Sequence, residues 1–121
     1  MSDFLFKDEV FSIRGAIFEV SREMGIGFLE AVYQECLAKE FERQNIPYQA
    51  HEDLRLAYKG EPLIQTYRPD FICHNAIVVE LKVAQEITDN HRAQILNYLK
   101  ATRLRLGLLE RHAQKWLPLL G

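Results

Sequence analysis

The stretch Ile77-Val78-Val79-Glu80-Leu81-Lys82 is an apolar run into which two charges have been set one residue apart. On a β-strand successive side chains point to opposite faces, so Glu80 and Lys82 share one face while Val79 and Leu81 share the other. A charged pair thus occupies one side of a strand otherwise suited to burial. Upstream, Arg68-Pro69-Asp70-Phe71-Ile72 ends a segment that can fold back beside this strand if the residues around His74-Asn75 make a hairpin turn. Asp70 and Glu80 would then meet, with the Lys82 ammonium beside them.

Periodicity places this hairpin within a larger pattern. Val10, Ile13, Ile17 and Val20 recur at helical spacing from about Asp8 to Glu23, and Met24-Gly25-Ile26-Gly27 stops that helix. A second helix is expected from Phe28 to Gln44, with Leu29, Val32, Tyr33, Cys36, Leu37 and Phe41 on one side, ended by Asn45 and Pro47. From Tyr48 to Leu81 the pattern alternates. Leu54, Leu56 and Tyr58 share a face, Lys59-Gly60 makes a turn, and Pro62 to Tyr67, Asp70 to Cys73 and Ile77 to Leu81 read as strands of a mostly antiparallel meander. Thr88-Asp89-Asn90 offers an N-cap for a third helix through Ala93, Ile95, Leu96, Tyr98 and Leu99 towards Thr102. Leu104 to Leu109 reads as a further strand, and Glu110 to Gly121 as a short helix broken at Pro118. With 121 residues, 48% of them hydrophobic, the chain suits a single compact domain. The order helix, strands, helix, strand predicts an α/β layer with helices covering one sheet.

The net charge of −2 argues against a strongly basic coat protein. The cations are unevenly spread, however: from His91 to Lys115 stand Arg92, Lys100, Arg103, Arg105, Arg111 and Lys115 against the single acid Glu110. Cys36 and Cys73 are far apart and form no Cys-x-x-Cys pattern, so neither a disulfide framework nor a structural zinc site is indicated. Reduced thiols, the lack of an apolar run long enough to span a bilayer, and a start without signal-peptide character predict a cytoplasmic protein that does not engage a membrane. Gly25-x-Gly27 lacks the third glycine, preceding strand and lysine of a nucleotide-binding loop.

Chemically, Asp70 and Glu80 supply hard oxygens suited to Mg2+ or Mn2+, the backbone carbonyl of Leu81 can add another, and Lys82 can orient or activate a water. Phosphodiester hydrolysis at neutral pH needs those parts: a metal ion, a nucleophilic water and positive charge against the developing negative transition state. Pro69 fixes the backbone just before the first ligand and removes a ladder donor. The competing reading is an ordinary acidic sheet face on which Lys82 pairs with one of the carboxylates.

Four ordered segments, Gly25-Ile26-Gly27-Phe28-Leu29-Glu30-Ala31-Val32-Tyr33, Tyr67-Arg68-Pro69-Asp70-Phe71, Val79-Glu80-Leu81-Lys82 and His91-Arg92-Ala93-Gln94-Ile95-Leu96-Asn97-Tyr98-Leu99, together resemble the GxxExxY protein family of the PD-(D/E)XK nuclease superfamily. The resemblance covers roughly Val10 to Leu109. It implies an α/β restriction-endonuclease-like core, a mixed central sheet flanked by helices, with Asp70, Glu80 and Lys82 as signature residues, Mg2+ or Mn2+ as cofactor and nucleic acid, expected to be DNA, as substrate. It further implies Glu30 as an outer or second-metal carboxylate, against the alternative of a first-turn acid favoured at a helix N-terminus. Gln94 and Tyr98, one helical turn apart, match the Gln-x-x-x-Tyr element that RecB-like branches carry near the active centre or bound nucleic acid, which implies Gln94 as a catalytic residue completing the site with Glu30 and Tyr98 as a nucleic-acid contact; the other reading of Tyr98 is core packing. Arg92 and His91 are candidate nucleic-acid contacts at the start of the same helix, with Lys100, Arg103 and Arg105 extending that margin; the other reading of His91 is a helix-start residue. The alternative function is a non-catalytic nucleic-acid- or protein-binding module on the same fold. A homodimer or protein partner could supply further surface, although no heptad seam marks one. Where the family continues with an Ile-Asn-Phe type ending, this chain reads Leu108-Leu109-Glu110-Arg111-His112.

Overall fold

The structure, a computed structural model, describes residues 6–82, 88–104, 106–111 and 115–120. Helix α1 (Lys7–Met24) buries Ile13, Ala16, Ile17 and Val20, the stripe that its periodicity predicts. It ends at Gly25, which adopts φ 72° and donates its N–H to the Ser21 carbonyl at 2.9 Å; Gly27 follows with φ 108°. Both values lie where a side chain is strained, so the two glycines make the reversal possible. Helix α2 (Glu30–Arg43) buries Tyr33, Leu37 and Phe41, one turn apart each. The Tyr33 hydroxyl donates to the Gly25 carbonyl at 2.6 Å and accepts from the Phe28 N–H at 3.3 Å, fastening α2 to the turn that precedes it.

Strand β1 (Tyr48–Ala50) leads to a hairpin of β2 (Leu54–Tyr58) and β3 (Glu61–Tyr67). Lys59 and Gly60 both have positive φ, 50° and 83°, as a two-residue type I′ turn requires. Strands β4 (Phe71–Cys73) and β5 (Ile77–Lys82) form the second hairpin, followed by α3 (Asp89–Thr102), β6 (Leu106–Arg111) and β7 (Lys115–Leu120). The main sheet has five strands in the order β1-β4-β5-β6-β7, while β2 and β3 pair only with each other. Strands β5 and β6 are parallel and the remaining neighbours antiparallel, so the sheet is mixed and helices flank it. This is the expected architecture. Among the described residues no helix is long and apolar enough to cross a membrane.

Two expectations need correction. The alternating region is not one meander: β2–β3 leaves the sheet, because Arg68-Pro69 interrupts the chain before β4 and Pro69, fully buried, has no N–H to carry a ladder onward. The tail is not a helix broken at Pro118. Residues Lys115–Leu120 form an edge strand in which Pro118 stands opposite Leu108, a place where a missing donor is tolerated. Residues 112–114 and 121 of that expected helix lie outside the described residues.

Strand β5 explains the layering. Ile77, Val79 and Leu81 join the cluster built with α1 and α2, which includes Ile13, Leu37, Phe41 and Phe71. Val78 belongs to the opposite cluster with Tyr67, Ile95 and Leu99. Gly107, paired with Val78 across the β5–β6 ladder, lets α3 come close: a Cβ there would meet Ile95 Cδ1 at 2.8 Å. The central strand is therefore covered on both sides along its length, and its polar residues fall at its C-terminal end.

Candidate active site

The β4–β5 hairpin closes as predicted, with His74 and Asn75 at φ 55° and 56° and the Ala76 N–H donating to the Cys73 carbonyl at 3.0 Å. Its ladder pairs Phe71 with Val79. One step further Asp70 faces Glu80, and there the side chains replace the backbone ladder. The Asp70 N–H donates to Glu80 Oε1 at 3.3 Å, and the Leu81 N–H donates to Asp70 Oδ2 at 2.7 Å. Two carboxylates are thus locked together at the end of a covered strand.

Each carboxylate has a further partner from another element. Gln34, on α2, donates through Nε2 to Asp70 Oδ1 at 3.0 Å. Tyr67, the last residue of β3, donates its hydroxyl to Glu80 Oε2 at 2.6 Å. Neither residue was assigned a role from the sequence. Gln34 was within reach of such reasoning, since it follows Glu30 by four residues and so shares its helix face. Tyr67 stands inside the Tyr67-Arg68-Pro69-Asp70 motif, but nothing local to the chain shows that its hydroxyl reaches Glu80.

The electrostatics are those of acids held without enough compensation. Burial, and then the nearby Asp70 charge, push the Glu80 carboxyl up to about 7, outweighing the Tyr67 hydrogen bond and the Lys82 charge, which favour ionisation. Burial also raises Asp70, assisted by the charge of Glu30 and opposed by the Leu81 N–H and the Lys82 charge. Tyr67 is held strongly protonated by burial and by Glu80, which keeps its hydroxyl a donor. The Lys82 charge therefore acts on both carboxylates, and the Glu30 charge acts on Asp70 from α2. A hard divalent cation suits this donor set: anionic oxygens, drawn from water, whose like charges disfavour joint ionisation. Among the described residues no group of three or more His, Cys, Asp or Glu side chains is arranged to hold a metal ion; the pair Asp70 and Glu80 is a two-carboxylate set that needs backbone or water oxygens besides.

The remaining candidates divide. Tyr98 stacks on Tyr67, ring centroids 3.9 Å apart and planes parallel, and so joins the site through a second tyrosine. Gln94 is exposed on α3 one turn earlier, and among the described residues no hydrogen bond ties it to either carboxylate. His91 closes a capping box: Thr88 Oγ1 accepts from the His91 N–H at 3.3 Å, and the Thr88 N–H donates to His91 Nδ1 at 3.2 Å. Arg92 pairs with Asp89 at 2.8 Å on the surface. Lys100 and Arg103 are exposed, and Arg105 lies outside the described residues.

Helices on both faces of a mixed sheet, with an aspartate and a Glu-x-Lys gathered at the end of its central strand, define a nuclease-like α/β core. A family model of the PD-(D/E)XK nuclease superfamily matches residues 7–114, nearly the whole chain, and the protein belongs to that superfamily. No curated protein and no solved structure matches the chain.

Proposed function

We propose that the protein is a metal-dependent nuclease that hydrolyses phosphodiester bonds in DNA, with Asp70 and Glu80 holding Mg2+ or Mn2+. The observation that carries this reading is the convergence of two half-buried carboxylates, joined at 3.3 Å through the Asp70 N–H, in a chain of the nuclease superfamily. When bound, the cation supplies Lewis-acid polarisation of the phosphoryl oxygens. The Leu81 carbonyl is the backbone oxygen best placed in sequence to add a third ligand. Lys82, whose charge acts on both acids, positions the attacking water and offsets negative charge as the phosphorus–oxygen bond to the leaving group breaks. Glu30 adds an outer carboxylate beside Asp70, Gln94 completes the catalytic set from α3, and Arg92 with His91 forms the nucleic-acid margin at the start of that helix.

The test is cleavage of single-stranded, duplex and branched DNA with Mg2+ or Mn2+. Wild type is expected to cut, and Lys82→Ala to lose cutting while its circular dichroism spectrum is unchanged. No cleavage by wild type on any of these substrates would sink the enzymatic reading.

One observation favours a second reading, a non-catalytic nucleic-acid- or protein-binding module: each of the four oxygens of Asp70 and Glu80 accepts one hydrogen bond from the protein, so the protein already supports the pair and a cation would have only the second lone pair of each oxygen. That module would bind DNA in a salt-sensitive way without turnover, and Asp70→Asn would leave its affinity unchanged.

A further inference from the structure

Glu80 carries a long, flexible side chain at the end of an apolar strand, and such a group does not hold one orientation without support. Oε1 is held by the Asp70 N–H of the neighbouring strand. Oε2 is held by the Tyr67 hydroxyl at 2.6 Å, a length in the range of a hydroxyl donating to a charged carboxylate. Tyr67 is itself 6% exposed, and its ring lies flat against Tyr98 of α3 with centroids 3.9 Å apart. A phenol hydroxyl lies in its ring plane, so a ring clamped on one face delivers that hydroxyl along one direction. Here the direction leads to Oε2.

Taking Glu80 as the cation ligand proposed above, we infer that Tyr67 is a positioning residue for Glu80 and that Tyr98 is the ring that keeps Tyr67 in place. Ligating carboxylates need hydrogen bonds to their other lone pairs to present a fixed donor. The relay Tyr98–Tyr67–Glu80 provides one from two elements, α3 and β3, that the hairpin itself does not contain. Of the two readings of Tyr98 that its spacing allows, nucleic-acid contact and packing within the protein, the relay selects the second. The ring face turned to Tyr67 is occupied, so that face stacks within the protein and not on a nucleic-acid base.

The test uses the full chain and Mn2+ alone, following the rise in melting temperature as Mn2+ is titrated, with DNA cleavage as a second readout. Tyr67→Phe keeps the ring and removes the hydroxyl; its Mn2+ midpoint should rise by about ten- to a hundred-fold while its circular dichroism spectrum matches wild type. Tyr98→Phe keeps the stack and should titrate as wild type, whereas Tyr98→Leu should shift in the direction of Tyr67→Phe. A Tyr67→Phe midpoint equal to wild type overturns the inference, and so does Tyr98→Phe behaving as Tyr98→Leu. If Tyr67→Phe does not fold, the two Tyr98 variants decide alone. A wild-type protein with no response to Mn2+ overturns the metal reading and this inference with it; a wild-type response shared by every variant overturns this inference only.

Discussion

Two hairpins stand next to each other in this chain, and they share a turn chemistry but not an environment. In β2–β3 the turn residues Lys59 and Gly60 both have positive φ, as do His74 and Asn75 in β4–β5. The first hairpin leaves Ile64 96% exposed, whereas Phe71, Val78 and Val79 in the second are 1% exposed or less. Their charges behave accordingly. Asp53, at the open base of the first, is paired with Arg68 at 2.8 Å in solvent and its carboxyl is held below its usual range. Asp70 and Glu80, at the covered end of the second, are both held above it. An acid is inert surface in one place and part of a poised carboxyl pair in the other, because the balance of desolvation against charged and hydrogen-bonding partners, and not sequence spacing, sets the sign of the shift.

The contrast is sharpest in activity. Asp70→Asn, Glu80→Gln and Lys82→Ala should each lower Mn2+-dependent DNA cleavage by about 10²–10⁴-fold, while Asp53→Asn leaves it unchanged; steady-state rates on one duplex substrate decide this. Equal losses at Asp53 and Asp70 would erase the distinction between the hairpins. Stability comes next. Phe71→Ala should cost about 3–5 kcal/mol in urea denaturation, and Ile64→Ala no more than about 0.5 kcal/mol, since only the former opens a cavity in a core. A smaller cost, about 1–3 kcal/mol, is expected for Gly107→Ala, whose new methyl would press on Ile95 where α3 meets the sheet.

The Glu80 carboxyl rises from 4.5 to about 7 on folding, so its contribution to stability is fully present below about 4.5 and is lost as pH rises through about 7. In chelator, the melting temperature should therefore fall between pH 5 and pH 8, and Glu80→Gln should flatten that fall. Asp53 has the opposite sign: its carboxyl is lowered, so its contribution is lost as pH drops below its ordinary value of 3.8. That pair is exposed and screened, so Asp53→Asn should barely alter the profile. A melting temperature that rises from pH 5 to pH 8 in chelator would contradict the burial of Glu80.

Much of this was legible in the residues. The helical stripes of α1 and α2 and the turn at His74-Asn75 follow from local periodicity and turn chemistry, and with them the meeting of Asp70 and Glu80. Gln34 was legible in part, being one turn beyond Glu30, but its bond to Asp70 depends on how α2 docks. Three features were not legible. The apolar tail Lys-Trp-Leu-Pro-Leu-Leu has no period that separates a broken helix from an edge strand, and only the open edge of β6 selects the strand. The departure of β2–β3 from the main sheet turns on which edges meet after Pro69. Tyr98 carries the same helical spacing whether it faces nucleic acid or another tyrosine.

Taken alone, then, the sequence determined the three helices and the β4–β5 hairpin and brought Asp70 opposite Glu80, because a hairpin register is a short-range property set by a few φ angles and an alternating pattern. Only the tertiary structure decided that those acids would be desolvated, that Gln34 and Tyr67 would hold them, and that Tyr98 would back Tyr67 from across the fold. Each of these depends on groups far apart in the chain sharing a volume partly shielded from water, and local pattern carries no information about that volume.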